Sequence, residues 1–349
     1  MRQKKQMKML GLLGLLAALP IISACAGNKG SDESRKEKMV QSVSVVQPIT
    51  GTWINLAYKD VRNKYTNPQH FDNMDPKLWT AKVRELANMG IEYLVFMEVA
   101  NEGKAYYPSK LMPWLYNDKL QSPVDAILDE AAKHGMKVFM STGWAKDQDD
   151  NLLDPVIKER QLQIMEELAS LYKNHKAFYG WYLPVEDCLC PIFAEHAVQS
   201  VNALTEKAHS LTPGKKTLIS PYGIGLSEFD HPDFEKQMAK LKVDIIAYQD
   251  EVGCVRDKFT LPRLKKNWQR MRDIHNRLNI EMWANCETFT WEEGTNDRQS
   301  ALIPAAYSRL LSQQVAASVA GVDKIISFMF GGIIEDPKSA YQLGQPVWS

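Results

Sequence analysis

Eight short apolar runs, each followed by a turn and separated from the next by a helical stretch, set the tightest limit on what this chain can form. They fall at 52–58, 92–98, 137–142, 178–186, 216–220, 243–248, 280–287 and 324–330. Between them, apolar residues at helical spacing predict helices over 78–89, 124–134, 155–175, 194–211, 234–241, 261–278 and 300–320. Asp75-Pro76 and Ser122-Pro123 start two of these helices, and Gly90 and Gly135 stop them. A strand that returns parallel to its predecessor needs a crossover along the face of the sheet, which repeated strand and helix supplies. Eight repeats suit an α/β fold of the closed (β/α)8 barrel type. An open, doubly wound sheet would carry a glycine-rich phosphate turn after its first strand. Here the first run leads into 57–62, Ala-Tyr-Lys-Asp-Val-Arg, without a glycine, and the sequence has no Walker loop.

The beginning of the chain reads as an export signal. Arg2, Lys4, Lys5 and Lys8 form a basic stretch, residues 9–22 are apolar, and Ile22-Ser-Ala-Cys25 supplies small residues before a cysteine. The apolar run falls short of the ~20 residues a spanning helix needs. The pattern resembles a bacterial lipobox. Residues 1–24 are then a signal peptide, Cys25 is the lipidation site, and 25–42, polar and without periodicity, is a flexible tether. Residues 43–349 form a single domain, within the size range of one barrel. The expected location is the bacterial cell envelope, on the outer membrane or the periplasm-facing membrane. The membrane is touched through the N-terminal lipid only, and the protein is expected to be a monomer.

Lys plus Arg and Asp plus Glu both number 42, and no basic tract is present to neutralise phosphates, which excludes nucleic acid as a partner. Cys188, Cys190, Cys254 and Cys286 allow three disulfide pairings without choosing among them, and unpaired thiols are the simplest reading. The seven histidines fall in loops or helices and none ends a strand, so no metal site is assigned. Lys137, Lys216 and Lys324 stand at strand beginnings, the wrong end for Schiff-base chemistry. A Gly-x-Ser-x-Gly nucleophile turn is missing as well. No cofactor is called for.

The fourth and seventh runs end in acids, Gly180-Trp-Tyr-Leu-Pro-Val-Glu-Asp187 and Ala284-Asn-Cys-Glu-Thr-Phe289. If the barrel closes, Glu186 and Glu287 lie on the rim where such folds keep their chemistry, and two carboxylates there suit sugar hydrolysis. From Gly51 to about Gly332 the chain resembles the TIM-barrel glycoside hydrolases with an acid/base Glu after strand four and a nucleophile Glu after strand seven. More narrowly, it resembles a glycoside-hydrolase-like TIM-barrel domain family of bacterial lipoproteins. The resemblance implies retaining hydrolysis of an oligo- or polysaccharide, with Glu186 as acid/base and Glu287 as nucleophile. Trp181, Tyr182 and Val185 would desolvate Glu186 and raise its pKa; Asn285 and Thr288 would keep Glu287 ionised. One position departs from the group. Asn commonly precedes the acid/base Glu to hold the 2-hydroxyl, and here Val185 stands there, so another residue holds that hydroxyl or another residue is the acid.

Other rim carboxylates compete. Asp187 adjoins Glu186, Glu98 and Glu102 flank the second strand's end, and Asp250 and Glu251 follow the sixth. A separation of roughly 6.5 Å or more would indicate inversion, with Asp250 or Glu251 as base. The turn from Gln249 to Gly253 is placed in the pocket, with Asn285 beside Glu287. Tyr58, Trp144, Tyr222, Tyr248 and Trp291 follow or close strands and could cover apolar sugar faces. An alternative function is a surface lipoprotein that binds glycan on this scaffold without cutting it. An adhesive role would instead need an exposed apolar patch away from the rim.

Overall fold

The computed structural model describes residues 46–56, 64, 75–101, 103–114, 121–143, 153–254, 260–294, 300–336 and 338. The chain divides into two units, Met1–Val43 and Ser44–Ser349. The first, with Cys25, lies outside the described residues, and only the second is described below.

Twelve strands occur among the described residues: β1 (Ile49–Ile54), β2 (Tyr93–Phe96), β3 (Ala100–Asn101), β4 (Lys104–Ala105), β5 (Lys137–Ser141), β6 (Phe178–Tyr182), β7 (Lys216–Ile219), β8 (Ile245–Gln249), β9 (Glu281–Glu287), β10 (Phe289–Trp291), β11 (Leu302–Pro304) and β12 (Lys324–Phe328). The helices are α1 (Pro76–Asn88), α2 (Pro123–Lys133), α3 (Pro155–Tyr172), α4 (Glu195–Leu211), α5 (Phe234–Met238), α6 (Leu261–His275) and α7 (Tyr307–Ala320). Eight strands close a barrel in the order β1-β12-β9-β8-β7-β6-β5-β2. The pairs β1·β12 and β1·β2 are both parallel, so the first strand joins the last and the cylinder is complete. β3·β4 and β10·β11 are small antiparallel hairpins beyond strand ends.

Local chemistry sets the helix starts. Asp75, Ser122 and Asp154 accept from the backbone N–H of Lys77, Asp125 and Val156 at 2.8, 3.1 and 2.8 Å. Each cap precedes a proline whose missing N–H costs nothing in the first turn. Side chains then alternate along the strands. Leu94, Phe96, Val138, Met140, Trp181, Ile246, Tyr248 and Met282 pack outward in the large core with residues of the helices. Trp53, Tyr93, Val95, Phe139, Tyr182, Leu218, Trp283 and Ile326 fill the cylinder. So many rings crowd the interior that Gly180 is needed: a Cβ there would meet Lys216 O at 2.5 Å and the Phe139 ring at 2.8 Å.

Three boundaries differ from expectation. The first strand runs 49–54 rather than 52–58, and Tyr58 lies outside the described residues. β6 stops at Tyr182, so Glu186 stands in the following loop. Leu183 N–H still donates to Leu218 O at 2.9 Å, but Pro184 has no N–H with which to continue the ladder. Residues 300–306 do not extend the last helix; β11 pairs with β10 instead, in keeping with Pro304, which would break a helix interior. On α7, Tyr307, Leu311, Val315 and Val319 recur every four residues and stay exposed.

Candidate active site

A cavity of about 270 Å³ opens at the C-terminal ends of the barrel strands. Glu186, from the loop after β6, and Glu287, the last residue of β9, both line it, with β7 and β8 between their strands. Trp53, Tyr182, Phe289, Trp291 and Phe328 supply aromatic walls, Met97 and Leu302 add aliphatic surface, and Ser220, Gln249, Cys254 and Asn285 supply polar atoms. Trp53 and Tyr182 meet edge to face at 4.6 Å between centroids, which fixes both rings. The β10·β11 hairpin brings Phe289, Trp291 and Leu302 to the wall.

Glu287 is buried, and its environment opposes its charge. Burial, and then the neighbouring charges of Asp250 and Glu251, push its carboxyl up from 4.5 to about 8, against backbone N–H bonds from Cys254 and Gly253. Cys254 N–H donates to Glu287 Oε2 at 2.6 Å. Gly253 lets this turn come close, because a Cβ there would meet Phe289 O at 2.6 Å and Glu287 Oε2 at 3.0 Å. The expectation that Asn285 and Thr288 keep Glu287 ionised is therefore overturned: what lies around the carboxyl is low-dielectric interior and two further acids.

Asp250 sits fully buried behind Glu287. Its Oδ1 accepts from Glu287 N and Val252 N at 3.1 and 3.2 Å, and its Oδ2 accepts from Gln313 Nε2 at 2.6 Å. The Cys286 thiol also donates to it. Burial raises the Asp250 pKa, while Gln313 and the backbone donors oppose that rise. Gln313 Nε2 and Arg309 Nη2 donate to Glu287 O at 3.1 and 2.9 Å, so α7 pins the backbone that carries the carboxyl.

Glu186 is only half-buried, and Gln249 Nε2 donates to its Oε1 at 2.9 Å and to Ser220 O at 3.0 Å. Of the neighbours expected to desolvate Glu186, Trp181 faces outward, where its Nε1 donates to Thr212 Oγ1 at 2.8 Å, while Tyr182 faces the cavity. The resting site thus holds a proton on Glu287.

Gln249, Asn285 and Trp291 line the cavity as expected, and Trp291 Nε1 donates to Cys254 O at 3.4 Å. Tyr248 does not. As the neighbour of the inward Gln249 it must point outward, and its hydroxyl reaches His275 Nε2 at 2.6 Å. His275 Nδ1 lies 2.9 Å from Ile280 O and so carries the proton, which makes Nε2 the acceptor; burial holds this imidazole down at about 4. Glu98, just past the C-terminal end of β2, is buried, accepts from Leu56 N–H at 2.8 Å and is absent from the described lining. Asp250 stands behind the cavity wall, and Glu251 turns its Oε2 to Gly225 N–H at 3.3 Å with a left-handed φ of 55°. Tyr222 is exposed and is absent from the described lining. Asp187 Oδ1 accepts from Cys188 N–H at 2.6 Å and its Oδ2 pairs with His196 at 2.7 Å. Trp144 lies outside the described residues. The four cysteines of the barrel form no disulfide.

Trp53, Phe289, Phe328 and Gln313 were missed. The first three follow from strand alternation carried to the strand ends. Gln313 offers no sequence signal beyond being a polar residue on a helix.

A closed parallel barrel of eight strands with helices between them, and an aromatic cavity at its C-terminal mouth, defines a TIM barrel. The chain belongs to the family described as Domain of unknown function (DUF4434), whose model matches residues 49–341. Glycosyl hydrolase DigH of Escherichia coli (strain K12) is 29% identical over 144 residues, covering 37% of this chain and 32% of that protein. The match therefore spans about a third of the curated relative's length. Among solved structures, a proposed alpha-L-fucosidase from Bacteroides thetaiotaomicron VPI-5482 superposes with a TM-score of 0.65 at 20% identity, covering 87% of this chain and 94% of that one. GH5_18 from Streptomyces cattleya, in complex with GlcNAc, gives 0.53 at 13% identity, covering 81% and 71%. At these identities the likeness to the solved structures is one of fold.

Proposed function

We propose that this protein is a glycoside hydrolase that cleaves an oligo- or polysaccharide with retention, using Glu186 and Glu287 and no cofactor. One observation carries the reading: two glutamates, one from the loop after β6 and one ending β9, line one aromatic-walled cavity, and the second is buried so that it holds a proton near neutral pH. The partial match to Glycosyl hydrolase DigH and the family's barrel fold support the reaction class.

Double displacement needs one proton shared by two carboxyls about 5 Å apart. The resting site carries a proton on Glu287, and that proton must move. With a sugar bound, the proton passes to Glu186, and the positive charge developing on the ring stabilises ionised Glu287. Glu186 protonates the glycosidic oxygen as the bond from that oxygen to the anomeric carbon breaks and Glu287 forms a bond to the same carbon. Water, giving its proton to Glu186, then attacks the anomeric carbon and releases Glu287. Cys25, lipidated, and the tether at 25–42 would carry a monomeric barrel on the cell envelope.

The test is a screen of the purified protein against a polysaccharide panel, with Glu186→Gln and Glu287→Gln alongside. Turnover lost in both variants, with melting transitions retained, supports the assignment. Unchanged turnover in either one refutes that residue's role.

A further inference from the structure

Glu186 stands on a loop, so strand register does not aim its carboxyl. β6 stops at Tyr182, and Pro184 has no N–H with which to carry the ladder on to the acid. What reaches the carboxyl is a side chain from β8. Gln249 closes that strand opposite Asn285, places its backbone N–H on Pro221 O at 3.2 Å, and sends Nε2 to Glu186 Oε1 at 2.9 Å and to Ser220 O at 3.0 Å. A main-chain carbonyl can only accept, so the atom facing it is the NH2 group, and both of its hydrogens are used. Ser220 is itself held: its Oγ donates to Ala247 O at 2.7 Å and accepts from Asn285 Nδ2 at 3.1 Å, ties that join β7's end to β8 and β9. Gln249 and Glu186 both line the cavity and both are half-buried, so their contact is made at the cavity surface.

We propose that Gln249 is the positioning residue of the acid/base: its amide, braced on Ser220 O, occupies Glu186 Oε1 and so makes Oε2 the oxygen that carries and delivers the catalytic proton. The inference rests on the hydrolase reading of this cavity and deepens it. In a protonated carboxyl the carbonyl oxygen accepts and the hydroxyl oxygen donates, and an N–H braced against Oε1 gives that oxygen the first role. The proton then sits on Oε2. As the bond from the glycosidic oxygen to the anomeric carbon breaks, its electron pair stays on that oxygen, which takes the proton from Oε2. Oε2 keeps the O–H pair, and Glu287 supplies the pair for the new bond to carbon. In the second step Oε2 takes the proton of the attacking water. Without the amide neither oxygen is singled out, and a misplacement of about 1 Å can cost roughly a hundredfold.

The experiment compares wild type, Gln249→Met, Gln249→Leu and Glu186→Gln, each as the full chain, on paired phenyl and 2,4-dinitrophenyl glycosides of glucose, galactose, mannose, xylose, fucose and N-acetylglucosamine. Phenoxide needs a proton to leave, whereas dinitrophenoxide leaves without one. The ratio of kcat/KM for the two therefore reads acid catalysis and cancels damage that only lowers the amount of working site. Met keeps the length of Gln and drops the donor, Leu drops it at smaller size, and thermal melts check that both fold. The phenyl-to-dinitrophenyl ratio is expected to fall roughly ten- to a hundredfold in both Gln249 variants, and further in Glu186→Gln. A ratio unchanged in a folded Gln249 variant, while Glu186→Gln lowers it, overturns this inference and leaves the hydrolase reading standing. A ratio that Glu186→Gln does not lower, or no turnover of any pair by wild type, removes the hydrolase reading and this inference with it.

Discussion

Replacing Glu287 by Gln should stabilise the fold, and the gain should grow with pH. In the unfolded chain this carboxyl ionises near 4.5, whereas in the barrel burial and then Asp250 and Glu251 hold it protonated up to about 8. Between those values the folded state binds a proton that the unfolded state has released. Stability is therefore fully present below 4.5 and falls as pH rises toward 8. Each pH unit in that window costs about 1.4 kcal/mol, so the whole interval is worth on the order of 4–5 kcal/mol. An uncharged amide of the same shape escapes this cost. For a domain of this size 1 kcal/mol corresponds to roughly 2 °C in Tm, so the gap between variant and wild type should widen by ~6–10 °C from pH 5 to pH 8. Thermal melts at pH 5, 6.5 and 8 measure it. A gap that stays constant with pH would refute the claim that Glu287 is held protonated, whatever the enzyme does to sugars.

Three further outcomes follow. Turnover should fall on the alkaline side with an apparent pKa near 8, where Glu287 loses its proton, and Asp250→Asn should move that limb about one unit lower by removing a neighbouring charge; an unmoved limb in the pH profile would contradict the assignment. Gln313 can turn its unpartnered Oε1 toward the introduced amide, so this variant should keep its fold, as circular dichroism would show. Gly253→Ala would drive a Cβ to 2.6 Å from Phe289 O and 3.0 Å from Glu287 Oε2; it should destabilise by ~1–3 kcal/mol in denaturant titration and abolish turnover. Cys25→Ala should shift the protein from the membrane to the soluble fraction in cell fractionation, and continued membrane retention would rule out lipid anchoring at that residue.

The barrel was legible because its evidence is periodic. Eight apolar runs with helices between them leave few topologies, and Asp75-Pro76 and Ser122-Pro123 mark helix starts by a mechanism any sequence displays. The positions of Glu186 and Glu287 followed from the same count. Their electrostatics did not, because the groups that set them are distant in sequence: Gln249 reaches Glu186 from another strand, and Asp250 and Glu251 act on Glu287 from the turn after β8. Sequence neighbours misled in the case of Trp181, which alternation turns away from the acid it nearly adjoins. Tyr248 shows the same effect, one residue from the inward Gln249 yet hydrogen-bonded to a helix on the outer side. The second strand of the hairpin, Leu302–Pro304, was read as part of the helix over 300–320 because Leu302 and the alanines after it suit either state; Pro304 was the available signal against helix.

Trapping the covalent intermediate addresses the proposed chemistry at its source. The purified protein would be incubated with a panel of 2-deoxy-2-fluoro glycosyl fluorides of neutral sugars, digested, and its peptides weighed by mass spectrometry. A single adduct on Glu287, absent from Glu287→Gln, is the expected result. An adduct on Glu186 or elsewhere, or sugar turnover that releases the inverted anomer first, would contradict the mechanism.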